Sequence, residues 1–144
     1  MSNDETQIRN ILTAQAAALQ AGDVKAMLSH YAPEVVSFTL APPLRQQTDP
    51  HDPAPTERWI ATFEAPPART YTQVTVTAGA EVAFVTALTS LSATPKGSPE
   101  PFTLWHRTTI GLRKTNGQWL ITHEHESVPF EMDGSFQASV NLKP

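Results

Sequence analysis

His123 and His125 stand two residues apart in an alternating run from Gln118 to Val128, so an extended backbone sends both imidazoles to one side. Asn116-Gly117, just before that run, is a strong signal for a two-residue hairpin turn, because both central residues of a type I′ turn need positive φ. Such a turn sets Thr115 against Gln118. Counting outward places Leu112 opposite Ile121, Ile110 opposite His123, Thr108 opposite His125 and His106 opposite Ser127. His106 then joins the other two rings on a face shared with Leu104 and Trp119. Three imidazoles so arranged can do one of three things. They can hold a zinc ion with an open fourth position, or serve as hydrogen-bond and acid/base groups at a pocket mouth. They can also pack as core rings bonded to Ser127, Thr108 or backbone.

On the other face the same register pairs Arg107 with Glu126 and Thr109 with Glu124. Exposed to solvent, a cross-strand ion pair is worth roughly 0.2–1 kcal/mol. Lining a cavity, it becomes an anion clamp or a poised carboxylate. The apolar face is expected inward, since exposing Leu104, Ile110, Leu112, Trp119 and Ile121 together costs on the order of several kcal/mol.

These side chains need a scaffold, and the chain ahead of them supplies one. Asn3 or Asp4 can cap a first helix, in which Ile8, Ile11, Leu12, Gln15, Ala18 and Leu19 recur at helical spacing. Gly22 ends it, Asp23 caps a second helix buried through Val24, Met27, Leu28 and Tyr31, and Pro33 stops that one. Glu34 to Leu40 reads as a short strand carrying Val36, Phe38 and Leu40 on one side. The proline-rich stretch from Ala41 to Pro55 is too long for a plain connector, and reads either as a lid or edge cover or as a stiff surface loop. Thr56 can cap a short helix whose Trp59, Ile60 and Phe63 share a face. Four alternating runs follow: Thr70 to Ala78, Glu81 to Ala93, Phe102 to Lys114 and Gln118 to Val128. Helices first and hairpins afterwards predict an α+β fold, helices packed on one face of an antiparallel sheet.

At 144 residues the chain suits one domain, 1–144, without internal repeat. A formal net charge of -4 with no Lys/Arg run argues against a nucleic-acid partner. With no cysteine there is no disulfide and no thiolate ligand or nucleophile. The polar start and the lack of an 18-residue apolar run point away from a signal peptide and from a membrane, so a cytoplasmic location is expected. No glycine-rich nucleotide loop, serine-nucleophile elbow or other cofactor fingerprint occurs, and no cofactor is expected.

Several segments carry a family resemblance. The helix ending Ala21-Gly22-Asp23, the corner His30-Tyr31-Ala32-Pro33-Glu34 and the strand Gly117-Gln118-Trp119-Leu120-Ile121-Thr122-His123-Glu124-His125-Glu126-Ser127 resemble the SnoaL-like, nuclear-transport-factor-two-like superfamily. Phe38 to Arg45 and His123 to Phe130 resemble a bacterial ketosteroid-isomerase-like subgroup of unassigned function. The terminal strand is also similar to the end of the calcium/calmodulin-dependent kinase II association domain. The resemblance implies a cone-shaped, cystatin-like fold, in which a bent antiparallel sheet wraps three N-terminal helices and leaves a pocket at the open end, and it implies a homodimer. The superfamily hosts isomerases, cyclases, dehydratases, hydrolases and non-catalytic modules on one scaffold. The general-base aspartate of ketosteroid isomerases falls at or near Thr39 here, and their oxyanion-hole tyrosine near Gln15. Neither residue can replace its counterpart, which argues against that activity.

The sequence therefore predicts a pocket for a small hydrophobic molecule, with general acid/base chemistry on a carbonyl-bearing substrate as the leading function. His106, His123 and His125 are the expected polar groups, with Glu126 or Glu124 as alternative carboxylates. Tyr31, Phe38, Trp59 and Phe63 are expected to shape the wall, and Arg107 with Glu124 to contact ligand. A non-catalytic binding or dimerisation module and a His₃ metal-dependent hydrolase or lyase are the two rivals.

Overall fold

A computed structural model describes residues 2–144. Helix α1 (Asn3–Ala21) is capped by Ser2, whose hydroxyl accepts the Glu5 backbone N–H at 3.0 Å, one residue ahead of the expected caps. Asp4 instead accepts from Trp119 Nε1 and Lys114 Nζ, each at 3.0 Å, which pins the start of α1 to the turn end of the last hairpin. The Trp119 bond above all, then Lys114, holds that carboxyl below its usual range. Gly22 closes α1 in the left-handed region (φ 72°). Asp23 then caps α2 (Val24–Leu28) by accepting the Ala26 N–H at 3.1 Å. Gln15 is buried between these helices and donates to the Met27 carbonyl at 3.1 Å, so the residue near the family's tyrosine position serves packing.

Strand β1 (Tyr31–Phe38) leads through the proline-rich loop to α3 (Ala54–Ile60), which opens at Pro53 without a side-chain cap rather than at Thr56. Then come β2 (Ala68–Ala78), β3 (Val82–Ala93), β4 (Phe102–Thr115) and β5 (Gln118–Ser127). They form one curved α+β sheet in the order β1-β5-β4-β3-β2. β2 to β5 run as an antiparallel meander, but β1 joins β5 in parallel. The expected antiparallel sheet thus has one parallel seam, made by the first strand returning to the last.

The apolar face points inward, as expected. Ile8, Ile11 and Leu12 of α1 pack on Val85, Ile110, Leu112, Trp119 and Ile121. A second cluster joins Leu19, Val24, Met27, Leu28 and Leu91, with Trp59 and Ile60 against it. The tight turn is also as expected, with Thr115 opposite Gln118 and Leu112 opposite Ile121. Asn116 and Gly117 take the positive φ values of 52° and 79° that such a turn requires.

The register then changes. Gly111, not Ile110, stands opposite His123, and Thr122 is the extra residue of a β-bulge. A Cβ at position 111 would lie 3.3 Å from His123 Cβ, so glycine is what lets the bulged strand sit this close. Because side chains alternate with period two, one inserted residue exchanges the faces of everything beyond it.

Candidate functional site

Beyond Thr122 the faces are the reverse of those expected. Glu124 is partnered with Ile110 and Glu126 with Thr108, both of which are buried on the concave side. The carboxylates therefore point inward, and His123 and His125 point away. Phe38 follows the histidines, since it pairs with His125 across the parallel seam. Its ring meets those of His123 and His125 edge-on, at centroid distances of 5.1 and 5.4 Å. His123 Nδ1 lies 2.7 Å from the Val36 carbonyl oxygen and so carries the proton. His125 is exposed. Arg107 faces Ser127 rather than Glu126, and its Nε donates to Ser127 Oγ at 3.1 Å.

Only His106 of the three histidines stays on the concave side, so the imidazoles do not converge. Among the described residues, no group of three His, Cys, Asp or Glu side chains is placed to hold a metal ion. The His₃ metal hydrolase or lyase loses its ligand set.

A cavity of about 570 Å³ opens at the end of the sheet away from the hairpin turn. That size suits a drug-sized organic molecule. Its polar floor consists of Tyr31, Ser37, Arg69, Glu124 and Glu126. Trp59, Phe63, Leu91, Phe102 and Leu104 make an apolar wall, with Phe63 edge-on to both Trp59 (5.4 Å) and Phe102 (5.9 Å). The proline-rich loop forms the rim through Leu40, Pro42, Gln46, Asp49 and Pro50. It is tied down by Gln46 N–H to the Ser37 carbonyl (3.0 Å) and by His51 Nε2 at the Tyr31 carbonyl (2.9 Å). Of the residues expected at a ligand, Tyr31, Trp59, Phe63, Glu124 and Glu126 border the cavity. Phe38, His106, Arg107, His123 and His125 do not. Thr39, at the family's general-base position, also borders it.

The floor is an interacting set of ionisable groups. Tyr31 donates its hydroxyl hydrogen to Glu124 Oε2 at 2.7 Å. Burial, then the neighbouring Glu126 charge, pushes the Glu124 carboxyl up, while bonds from Tyr31 and Ser37 and the Arg69 charge pull it back. Burial also raises Glu126, opposed by Arg69. Burial and the adjacent Glu124 push Tyr31 well above an ordinary phenol. His106 lies behind Glu126, with Nε2 3.9 Å from Glu126 Oε2, which is beyond hydrogen-bond reach. Burial lowers its imidazole, favouring the neutral ring. Thr108 Oγ1 approaches His106 Nδ1 at 3.4 Å and exchanges a 2.8 Å bond with Thr89 Oγ1.

Arg69 is the charged cavity residue that sequence reasoning missed. It immediately precedes the alternating run Thr70 to Ala78. Carrying that alternation back by one residue sets Arg69 in phase with Tyr71 on the concave face, so the signal was the strand boundary.

The SnoaL-like domain model matches residues 8–131 of this sequence. The chain belongs to the SnoaL-like family. A solved NTF2-like protein of unknown function from Pseudomonas putida KT2440 is similar to this SnoaL-like chain at 28% identity and a TM-score of 0.85, covering 100% of this chain and 99% of its own. A putative calcium/calmodulin dependent protein kinase II association domain from Xanthomonas campestris is similar at 20% identity and 0.71, covering 83% and 84%. A putative scytalone dehydratase from Novosphingobium aromaticivorans is similar at 13% identity and 0.76, covering 98% and 94%. At such identities the last two show the fold, which is the cystatin-like α+β arrangement. A search of the curated proteins finds no match. No helix among the described residues is long and apolar enough to cross a membrane.

Proposed function

We propose that the chain, 1–144, works as one domain that binds a small hydrophobic, carbonyl-bearing molecule and moves a proton next to its carbonyl by general acid/base catalysis. The observation that carries this reading is the pair Glu124 and Glu126, two carboxyls on one strand face in the polar floor of a cavity whose opposite wall is apolar. Burial raises both above the ordinary carboxyl value, which is the direction that suits a group taking and returning a proton. Like charges so near each other do not ionise independently. Arg69 favours the ionised form of Glu126, which is the base that removes a proton from the carbon next to the carbonyl. The retained proton on Glu124 donates toward the carbonyl oxygen as charge develops there, while the Tyr31 hydroxyl holds that carboxyl in place. Return of the proton at another carbon completes an isomerisation, and loss of a β-hydroxyl as water completes a dehydration. His106 acts as a neutral neighbour that keeps water from the rear of Glu126. The name of one structural neighbour, a putative scytalone dehydratase, fits this class of chemistry. A homodimer in the cytoplasm belongs to the same proposal. It is supported by exposed Val82 and Phe84 on the sheet and by a sequence without cysteine.

The test is deuterium exchange at the carbon beside the carbonyl, followed by NMR for a panel of cyclic enones and β-hydroxy ketones. Glu126→Gln is expected to lower the rate for any accelerated compound by about 10²–10⁴-fold. If no compound exchanges faster than with buffer alone, or Glu126→Gln leaves the rate unchanged, the cavity is a binding site without catalysis.

A further inference from the structure

Arg69 is the cationic residue of the floor, and the protein sets no counter-ion directly against it. Its β2 position pairs with Leu91, placing it on the concave side, and its side chain borders both the main cavity and a smaller groove of about 270 Å³ between α1 and β2. Among the described residues no carboxylate oxygen lies within 4.0 Å of its guanidinium, although Glu124 and Glu126 share the same floor. Its other neighbour is the Tyr71 hydroxyl, a neutral group at physiological pH because burial raises it. A half-buried guanidinium is best satisfied by an anion, and its planar fork suits a carboxylate bidentately. The rim carboxylates form no ion pair with it. Asp49 is held by the His51 N–H at 2.9 Å and Asp52 by the Ala54 N–H at 3.0 Å, both within the loop. Opposite the floor the wall is aromatic and aliphatic.

We infer that Arg69 is the specificity-determining residue of this cavity, and that its ligand is a hydrophobic monocarboxylate whose acid group docks on the guanidinium while its apolar body lies against Trp59, Phe63 and Leu104. The inference rests on the reading of this cavity as a small-molecule site and adds the class of molecule. The carboxylate is an anchor rather than the reacting group.

Matched acid and amide probes test it: benzoate with benzamide, cinnamate with cinnamamide, and octanoate with octanamide, each titrated by calorimetry. At least one acid is expected to bind tenfold or more tightly than its amide. Arg69→Gln is expected to erase that preference, Arg69→Lys to keep part of it, and Glu126→Gln, which removes a neighbouring negative charge, to keep or strengthen it. The Arg69→Lys variant retains the buried charge and covers the case in which the glutamine variant does not fold. If no acid outbinds its amide, or the preference survives Arg69→Gln, the inference fails. Because the readout is binding alone, it is independent of whether Glu126 turns over any substrate. A loss of exchange activity in Glu126→Gln with no acid preference would sustain the catalytic reading and sink this one.

Discussion

Gly111 in β4 stands opposite His123 in β5, so close that a methyl group at Gly111 would lie 3.3 Å from the histidine Cβ. That approach holds the bulge at Thr122, and the bulge decides which side chains reach the cavity. Gly111→Ala forces the neighbouring strand to give by a few tenths of an ångström, at a cost of about 1–3 kcal/mol. The urea midpoint should fall accordingly. An unchanged midpoint would mean that the bulge tolerates a side chain at this position.

His123 and His125 sit on the far side of the sheet from the carboxylates. Replacing either with alanine should change ligand binding and any turnover by less than about twofold. His125→Ala should leave stability within about 0.5 kcal/mol, as for most surface positions. His123→Ala should cost about 1 kcal/mol for the bond to Val36 O. A large loss of activity in either variant, with the melting temperature unchanged, would place these rings back in the chemistry.

Tyr31→Phe removes the 2.7 Å bond to Glu124, which pulls that carboxyl downward. The Glu124 carboxyl should therefore titrate higher in the variant. The acid limb of the pH profile for ligand binding should move to higher pH, and stability should drop by about 1 kcal/mol. A limb that does not move would show that the tyrosine fills space only.

Stability should depend on pH through the same two carboxyls. A carboxyl raised by folding contributes stability that is fully present below its unfolded value and is lost as pH rises through its folded value. Glu124 and Glu126 are both of this kind. Burial lowers His106, whose contribution runs the other way, present above its ordinary value of 6.5 and lost as pH falls. The double variant Glu124→Gln, Glu126→Gln isolates the carboxyl part. Its melting temperature relative to the unaltered protein should rise as pH climbs above the ordinary carboxyl value of 4.5 and level off once both groups are ionised. A difference that stays flat or falls would contradict the burial that raises both groups.

The helices, the strands and the hairpin turn were legible because each is written locally. Gly22 and Asp23 punctuate the helices, alternation marks the strands, and Asn116-Gly117 fixes the turn. The register was legible only from the turn as far as Leu112 and Ile121. Beyond that, a count that assumes unbroken pairing sends His123 and His125 inward and Glu124 and Glu126 outward, the reverse of what folds. The warning was present in Gly111, since a glycine inside an alternating strand marks a bulge or a close backbone approach. The parallel seam between β1 and β5 had no comparable sign, because it depends on sheet order and not on neighbouring residues. Arg69 was passed over for a smaller reason, a strand begun two residues late at Thr70 instead of Ala68.

Tyr31 and Glu124, 93 residues apart in sequence, meet only through the seam that lays β1 alongside β5. During synthesis the first strand therefore waits beside an empty edge while most of the polypeptide is still being made. The polar floor of the cavity cannot exist as a partial assembly on the ribosome, and release of the last hairpin is the event that creates it.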